Sequence, residues 1–238
     1  MKTVLILVHS AQQPRSDALL RASLETWDSA PLEGTQTYYY TGTEPGAFLK
    51  HPRVISFPIG EGYNTMGRKN ILAFAWALEH PQWDFMARVN ATCYVRKAKL
   101  LEYVQTLPTE KLFRGVGAPY ADGKTFLWGG AQYLISRDVV KAFVDHADKW
   151  NHGVMEDVAI SKLAVELGIP LDTRGRSCSL NKQANDWLCI HYDNGKQGGF
   201  RFRQPSEFGP AEGNFFLRIK QDGNPDLELK TMRELTQE

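Results

Sequence analysis

The first half of the chain alternates between strand-like and helix-like hydrophobic patterns. Short runs rich in β-branched and aromatic residues, bounded by glycine and proline, predict strands at 3–9, 35–41, 53–57 and 83–89. Apolar positions with helical spacing predict a helix that places Leu19, Leu20, Leu24 and Trp27 on one face, and a second helix at 70–80. This alternation indicates an α/β fold with a mostly parallel sheet flanked by helices.

The second half continues the same pattern and then becomes less regular. Residues 125–136 read as a strand, a glycine pair and another strand, and helical stripes follow at 139–147 and 160–167. The segment 214–232 predicts a hairpin that turns at 222–225. We therefore expect a single domain over 1–195, with 196–238 as a C-terminal extension packed on it.

Composition narrows the class of protein. The chain has 238 residues, 42% of them hydrophobic, and a formal net charge of +1, so no overall field attracts nucleic acid or an anionic membrane. Its three cysteines lack the spacing of a zinc site, and reduced thiols are expected. No apolar run approaches the roughly 20 residues of a membrane span. The sequence predicts a soluble, cytoplasmic protein.

The predicted strand at 83–89 points to the place where a ligand would bind. Ligands of open α/β sheets bind beyond the carboxyl ends of the strands. Asn90, Ala91 and Thr92 follow this strand directly, so we expect them in the binding crevice.

Several short motifs occur in an order known from one enzyme family. They are LETW (24–27), Tyr63 followed by Lys69 and Asn70, WDFMARVNATCYV (83–95), WGGAQYLISRD (128–138), MEDVAI (155–160) and a late His191. Over about 3–191 the chain resembles the β1,3-galactosyltransferase and Fringe group, glycosyltransferase family 31. The resemblance implies the GT-A nucleotide-sugar fold. We expect a bacterial or viral source for this chain.

The resemblance also implies a reaction and a set of residues. It implies a hexosyltransferase that moves a sugar from a nucleoside diphosphate, with UDP expected, to a hydroxyl acceptor with inversion. Asp157, beside Glu156, would be the catalytic base. The expected donor-binding residues are Tyr63, Lys69, Arg88, Asn90 and Thr92.

The residues themselves leave other roles open. Glu156 and Asp157 fit equally well as acidic groups that stabilise a helix N-terminus. Gly129 and Gly130 allow close approach of an acceptor on which Trp128 would stack, or they form a bulge between strands beside a core tryptophan. The basic residues fit a diphosphate site or a solvated surface.

The metal site of the family is altered in this chain. Asn90, Ala91 and Thr92 stand where the family has its aspartate triplet, and hard cations such as Mn²⁺ and Mg²⁺ need carboxylate oxygens. His191 is then the one remaining metal ligand that the resemblance implies. Two alternatives therefore stay open: Mn²⁺ or Mg²⁺ held by other ligands, or fixed basic side chains that neutralise the diphosphate without a metal.

Two further functions remain as alternatives. The basic and aromatic run KQGGFRFRQ (196–204) suits a glycosyltransferase that modifies a hydroxylated base in DNA, although the balanced net charge does not favour a nucleic-acid partner. A catalytically degenerate GT-A scaffold that only binds a ligand would explain the lost aspartates. A glycan is the expected acceptor if the chain is an active enzyme.

Overall fold

The computed structural model describes residues 1–43, 50–80, 82–120, 123–175, 177–181, 186–192, 200–203, 214–219 and 224–237. Its strands are β1 (Val4–His9), β2 (Thr35–Thr41), β3 (Val54–Ser56), β4 (Phe85–Asn90), β5 (Cys93–Val95), β6 (Phe113–Gly115), β7 (Gly117–Pro119), β8 (Thr125–Leu127), β9 (Tyr133–Ser136), β10 (Leu171–Asp172), β11 (Ser177–Asn181), β12 (Asp186–Tyr192), β13 (Phe200–Arg203) and β14 (Phe216–Arg218). Its α-helices are α1 (Pro14–Glu25), α2 (Met66–Glu79), α3 (Lys97–Gln105), α4 (Arg137–Asp145), α5 (Glu156–Glu166) and α6 (Pro225–Glu234).

The largest sheet has the strand order β3–β2–β1–β4–β9–β6–β10. Its ladders are parallel except those of β9, which runs antiparallel to both β4 and β6. In register, His9 at the end of β1 lies opposite Tyr40 of β2 and Asn90 of β4. The prediction of a mostly parallel α/β sheet is confirmed, and the carboxyl ends of its central strands are level with one another.

Alternate residues of the central strands enter two different cores, as the strand period of two requires. One face of β1, with Val4, Ile6 and Val8, packs in the same cluster as Leu19 and Leu20 of α1. The opposite face, with Leu5 and Leu7, packs with residues of α2, α4 and α5. Because both faces are covered, β1 is a continuous apolar run, typical of the centre of a parallel sheet.

A second sheet begins where β4 ends. Its order is β13–β12–β11–β14–β5, and β5 starts only two residues after β4. Strand β14 pairs antiparallel with β5 and parallel with β11, so the chain after residue 195 shares a sheet with the chain before it. Strands β7 and β8 form a separate antiparallel hairpin.

The predicted hairpin at 214–232 is wrong. Strand β14 is present, but residues 225–234 form helix α6. The Asn224 side chain accepts a hydrogen bond from the Leu227 N–H (3.1 Å), and Pro225 occupies the first helical turn. Asparagine followed by proline, which we interpreted as a turn, is here the N-cap of a helix.

Helix α6 packs against α1. Arg15 of α1 pairs with the fully buried Glu228 at 2.5 Å, and the Ser23 hydroxyl donates to the sulfur of Met232 (3.6 Å). Within the described ranges, each helix is too short or too polar to cross a lipid bilayer.

Candidate functional site

The site is built around Gly129, in a single 3₁₀ turn between β8 and β9. Its carbonyl accepts hydrogen bonds from the Arg88 guanidinium (3.2 Å) and from the Asn90 amide (3.1 Å), both on β4. Its N–H donates to the Asp157 carboxylate at 3.2 Å. The backbone of Gly129 is therefore hydrogen-bonded both to the carboxyl end of β4 and to the start of α5.

The close packing explains why residue 129 is a glycine. A Cβ there would lie 2.7 Å from the Tyr133 hydroxyl and 3.1 Å from a Glu156 carboxylate oxygen. A side chain has no room unless one of these groups moves. The groups that approach this glycine closely are the protein's own side chains, and its role in acceptor binding stays a prediction.

Asp157 is the half-buried carboxylate of the site. One of its oxygens accepts from the Gly129 N–H, and the other accepts from the Val158 N–H at 3.0 Å. Burial raises the pKa of Asp157, and the two backbone hydrogen bonds lower it in part. A raised pKa makes the ionised carboxylate a stronger base than an ordinary aspartate.

Glu156 occupies a different environment from its neighbour. It is buried, with one oxygen 2.5 Å from the Asn70 amide nitrogen and the other 3.7 Å from the Arg88 guanidinium. Burial raises the pKa of Glu156, Arg88 opposes that rise, and the negative charge of Asp157 adds to it. Glu156 therefore contacts the protein's own groups, Asn70 and Arg88, and its assignment as a catalytic residue stays a prediction.

The buried network continues to β2. The Tyr40 hydroxyl donates to the Asn70 side-chain oxygen at 2.6 Å, and Asn70 in turn donates to Glu156. Arg88, 1% exposed, donates to the Asn90 side-chain oxygen at 3.0 Å and lies 5.7 Å from the centre of the Tyr133 ring. Strands β2 and β4 and helices α2 and α5 are thus tied together beneath Gly129.

Lys69 is also engaged within the protein. Its ammonium group lies 2.5 Å from a Glu61 carboxylate oxygen and donates to the Ser10 carbonyl at 2.9 Å. Glu61 additionally accepts from the backbone N–H groups of Gln12 (3.0 Å) and Gly42 (2.7 Å). This pair holds the loops that follow β1 and β2. Lys69 and Arg88 each face a buried carboxylate, Glu61 and Glu156 respectively, and their role in donor binding stays a prediction.

Trp128 and Gly130 meet a cation that we did not predict. The Arg218 guanidinium, from β14, lies 4.9 Å from the centre of the Trp128 ring. A Cβ at Gly130 would come within 2.5 Å of an Arg218 terminal nitrogen. Arg218 is also in register with Cys93, directly after the segment 90–92. The second sheet thus brings an arginine to the place where the family resemblance implies a metal.

The remaining predicted residues surround this centre. Tyr63 is 70% exposed, and partial burial together with the nearby charges of Asp157 and Glu156 raises its pKa. Thr92 is half-buried, and its carbonyl accepts from the Ile219 N–H at 2.9 Å. His191 lies in β12 opposite Arg201, and its side chain falls outside the described part of the structure.

The donor set does not suit a hard cation at residues 90–92. The Asn90 oxygen takes a hydrogen bond from the Arg88 guanidinium, whose positive charge opposes a cation there. Among the described residues, no group of three or more histidine, cysteine, aspartate or glutamate side chains is arranged to hold a metal. The residues present thus do not fit the metal site that the resemblance implies.

One further residue of the crevice was missed by sequence reasoning. His9 ends β1, and its Nε2 is buried without a hydrogen-bond partner among the described residues. Burial lowers the pKa of His9 well below its ordinary value, and the charges of Lys69 and Arg88 lower it further. The position of His9 at a strand end was the one available signal in the sequence.

Among the comparisons with known proteins, the one with solved structures gives a match. No protein-family model and no curated protein matches the chain. The structure is similar to the "Crystal structure of a glycosyltransferase involved in the glycosylation of the major capsid of PBCV-1". The TM-score is 0.55 with 12% sequence identity, and the similarity covers 98% of this chain and 99% of that chain.

The chain has a GT-A-like fold. The match extends over nearly the whole chain, and the observed sheet is mixed, mostly parallel and flanked by helices. At 12% identity the likeness establishes the fold alone. The membership of family 31 stays a prediction, and so do the residue roles that this membership implies.

Of the proposed nucleic-acid segment 196–204, the structure describes only strand β13. Its basic and aromatic side chains lie outside the described part of the chain.

Proposed function

We propose that the protein is an inverting glycosyltransferase that uses a nucleoside diphosphate sugar, with UDP as the nucleotide, and a hydroxyl acceptor. The observation that carries this proposal is Asp157, a half-buried carboxylate with a raised pKa at the carboxyl edge of a GT-A-like sheet. A base at this position is what an acceptor hydroxyl needs, because its own pKa lies far above neutral pH.

In the proposed reaction the acceptor oxygen attacks the anomeric carbon of the donor sugar. The bond from that carbon to the diphosphate oxygen breaks, and the acceptor proton passes to Asp157. Attack opposite to the leaving group inverts the configuration. The Gly129 N–H positions the Asp157 carboxylate. The Arg88 and Asn90 side chains hold Gly129 by donating to its carbonyl, and Glu156 faces Arg88.

The nucleoside is proposed to bind at the carboxyl ends of β1, β2 and β3. Polar side chains converge there. The Gln12 amide donates to the Ser56 hydroxyl (3.1 Å) and to the Thr41 hydroxyl (3.4 Å), which lie 3.1 Å apart. The Lys69–Glu61 pair anchors the adjoining loops. Ligands of open α/β sheets bind at this edge, and hydroxyl and amide groups suit the edge of a base.

Arg218 is proposed to supply the positive charge that stabilises the leaving diphosphate. Arg218 lies over Trp128 and adjoins the segment 90–92, beyond the carboxyl end of β4. An arginine can donate several hydrogen bonds to phosphate oxygens at once. This proposal makes the reaction independent of Mn²⁺ and Mg²⁺.

The catalytic part of the proposal is tested with Asp157→Asn. We expect sugar transfer to fall by about 10²–10⁴-fold, because general base catalysis is lost, while the thermal midpoint and UDP binding remain. The control is Asp138→Asn, an acidic residue in the first turn of α4 that binds the Lys111 N–H instead of the site. Unchanged turnover in Asp157→Asn would remove the base assignment.

The donor part is tested by the thermal midpoint with UDP, GDP, CDP and ADP, each in EDTA and again with Mn²⁺. A ligand at 100 times its Kd adds about 2.7 kcal/mol to the stability of the protein. We expect a UDP shift that persists in EDTA, shrinks in Arg218→Met and is unaffected in Arg21→Met, on the exposed side of α1. A shift seen only with Mn²⁺ would overturn the metal-independent proposal.

A further inference from the structure

We propose that the acceptor carries an apolar aglycone, and that a cleft beside the site binds it. The cleft, about 340 Å³, lies between α5 and the β7–β8 hairpin. Its apolar walls are formed by Tyr120 and Phe126 from the hairpin region and by Val158 and Val165 from α5. The polar side chains of the lining are Lys124, Thr125, Ser161, Lys162 and Glu166. A volume of this size falls in the range of small-molecule sites. The inference rests on the proposed function, because the acceptor's hydroxyl must reach Asp157.

The chemistry of the cleft is that of a surface for flat or aliphatic groups. The Tyr120 and Phe126 rings meet edge to face at 6.1 Å, and the Lys162 ammonium lies 4.8 Å from the centre of the Tyr120 ring. Val165 is 62% exposed, although valine is usually buried. Val165 adjoins Tyr120 and Phe126 in one apolar wall, and contiguous apolar surface beside a cleft is typical of a ligand-binding surface.

The cleft begins one residue from Asp157 along helix α5. Val158 directly follows Asp157, and it packs in one apolar cluster with Ala118, Phe126 and Trp128. From Val158 to Val165 the helix advances about 10 Å, at roughly 1.5 Å per residue. A group in this cleft would therefore extend away from the reacting hydroxyl by about the length of one or two sugar rings.

The lining favours an aglycone over a second sugar. A sugar exposes several hydroxyl groups, and each buried hydroxyl needs a hydrogen-bond partner. Ser161, the buried hydroxyl of the lining, already accepts from the Leu127 N–H at 2.9 Å. Apolar and aromatic walls instead gain free energy by removing an aryl or alkyl group from water.

The test compares acceptors that differ only in the aglycone. We would measure KM and kcat for p-nitrophenyl and methyl glycosides of glucose and galactose, with UDP-glucose and UDP-galactose as donors. We expect a KM at least tenfold lower for the aryl acceptor. Val165→Arg should bring the two KM values together while leaving kcat/KM for the methyl glycoside unchanged.

The matched control is Leu72→Arg, because Leu72 is also an exposed aliphatic residue of a helix, α2, outside this cleft. It should leave the ratio of the two KM values unchanged. Equal KM values for both acceptors in the unaltered protein, with transfer observed, would overturn the aglycone inference and leave the proposed function standing.

Absence of any transfer would instead count against the proposed function, and the cleft is then tested by binding alone. Isothermal titration with the p-nitrophenyl glycosides, without donor, should show binding that Val165→Arg removes and Leu72→Arg retains. Equal binding by both variants, or none by the unaltered protein, would overturn the inference.

Discussion

Two arginines of the large sheet, Arg88 and Arg114, pair with carboxylates through different hydrogen-bond arrangements. Arg88 on β4 faces Glu156 at 3.7 Å beneath the site, and one of its nitrogens, Nε, has no hydrogen-bond partner among the described residues. Arg114 on β6 directs two nitrogens to one Asp172 oxygen, at 2.9 and 2.6 Å, near the sheet edge. Arg174 also binds Asp172, at 2.7 and 2.8 Å.

The two carboxylates respond oppositely to their surroundings. Burial raises the pKa of Glu156, and Arg88 does not fully offset this rise. For Asp172, burial also acts upward, but hydrogen bonds from Arg174 and Arg114 outweigh it and lower the pKa well below the ordinary range. The edge pair is arranged for stability, whereas Arg88 divides its hydrogen bonds to hold Gly129 and Asn90.

The largest expected difference comes from removing one partner of each pair. Arg88→Met leaves Glu156 buried without its cation, and we expect a loss of about 3–5 kcal/mol in the free energy of unfolding. Arg114→Met should cost much less, about 1 kcal/mol, because Asp172 keeps Arg174. Urea denaturation at pH 7 measures both, and similar losses would contradict the comparison.

The double variant Arg88→Met, Glu156→Leu serves as the control for this experiment. Replacing both charges by apolar groups of similar volume is often neutral for stability. We expect most of the lost stability to return while sugar transfer stays impaired, because Gly129 no longer receives the Arg88 hydrogen bond.

The second expected effect is on the pH dependence of activity. The proposed reaction needs the ionised Asp157, and burial raises the pKa of Asp157, so activity should fall on the acid side at a higher pH than for an ordinary aspartate. The pH profile of kcat/KM gives the midpoint of this loss. A midpoint in the ordinary aspartate range would show that a solvated carboxylate acts as the base.

The smallest expected effect is that of Asp172→Asn. Because the folded-state pKa of Asp172 is lowered, its contribution to stability is present above the unfolded-state pKa and is lost as pH falls through the folded-state pKa. We expect a loss of about 1 kcal/mol at pH 7 that shrinks as the solution becomes acidic. Unfolding free energies of both proteins across pH 2–7 test this, and a pH-independent difference would be inconsistent with it.

Much of the fold could be predicted from local pattern. Strands β1, β2 and β4 and helix α2 follow directly from apolar runs and helical spacing. The second sheet could not, because three-residue strands such as β5 and β14 have too little length to show a period. Helix α6 was missed because its N-cap sequence is also a turn sequence.

The site could be predicted only in part, since its chemistry depends on partners distant in the chain. Asp157 and the glycine pair were found through motif order. Nothing local shows that Lys69 pairs with Glu61, that Arg88 of β4 faces Glu156 of α5, or that Arg218 reaches Trp128. A sequence does not show whether the charge of a basic residue is neutralised by an acidic residue in the folded protein.

The two neighbouring glycines differ in how much change they would tolerate during evolution. At Gly129 a Cβ would press on Tyr133 and Glu156, both held in the buried interior. At Gly130 a Cβ would meet the end of the Arg218 side chain at 2.5 Å and the Trp128 ring at 2.6 Å, both of which belong to side chains at the mouth of the same turn. Selection would therefore be expected to recover substitutions at position 130 only together with a change at position 128 or 218, and to leave position 129 unchanged.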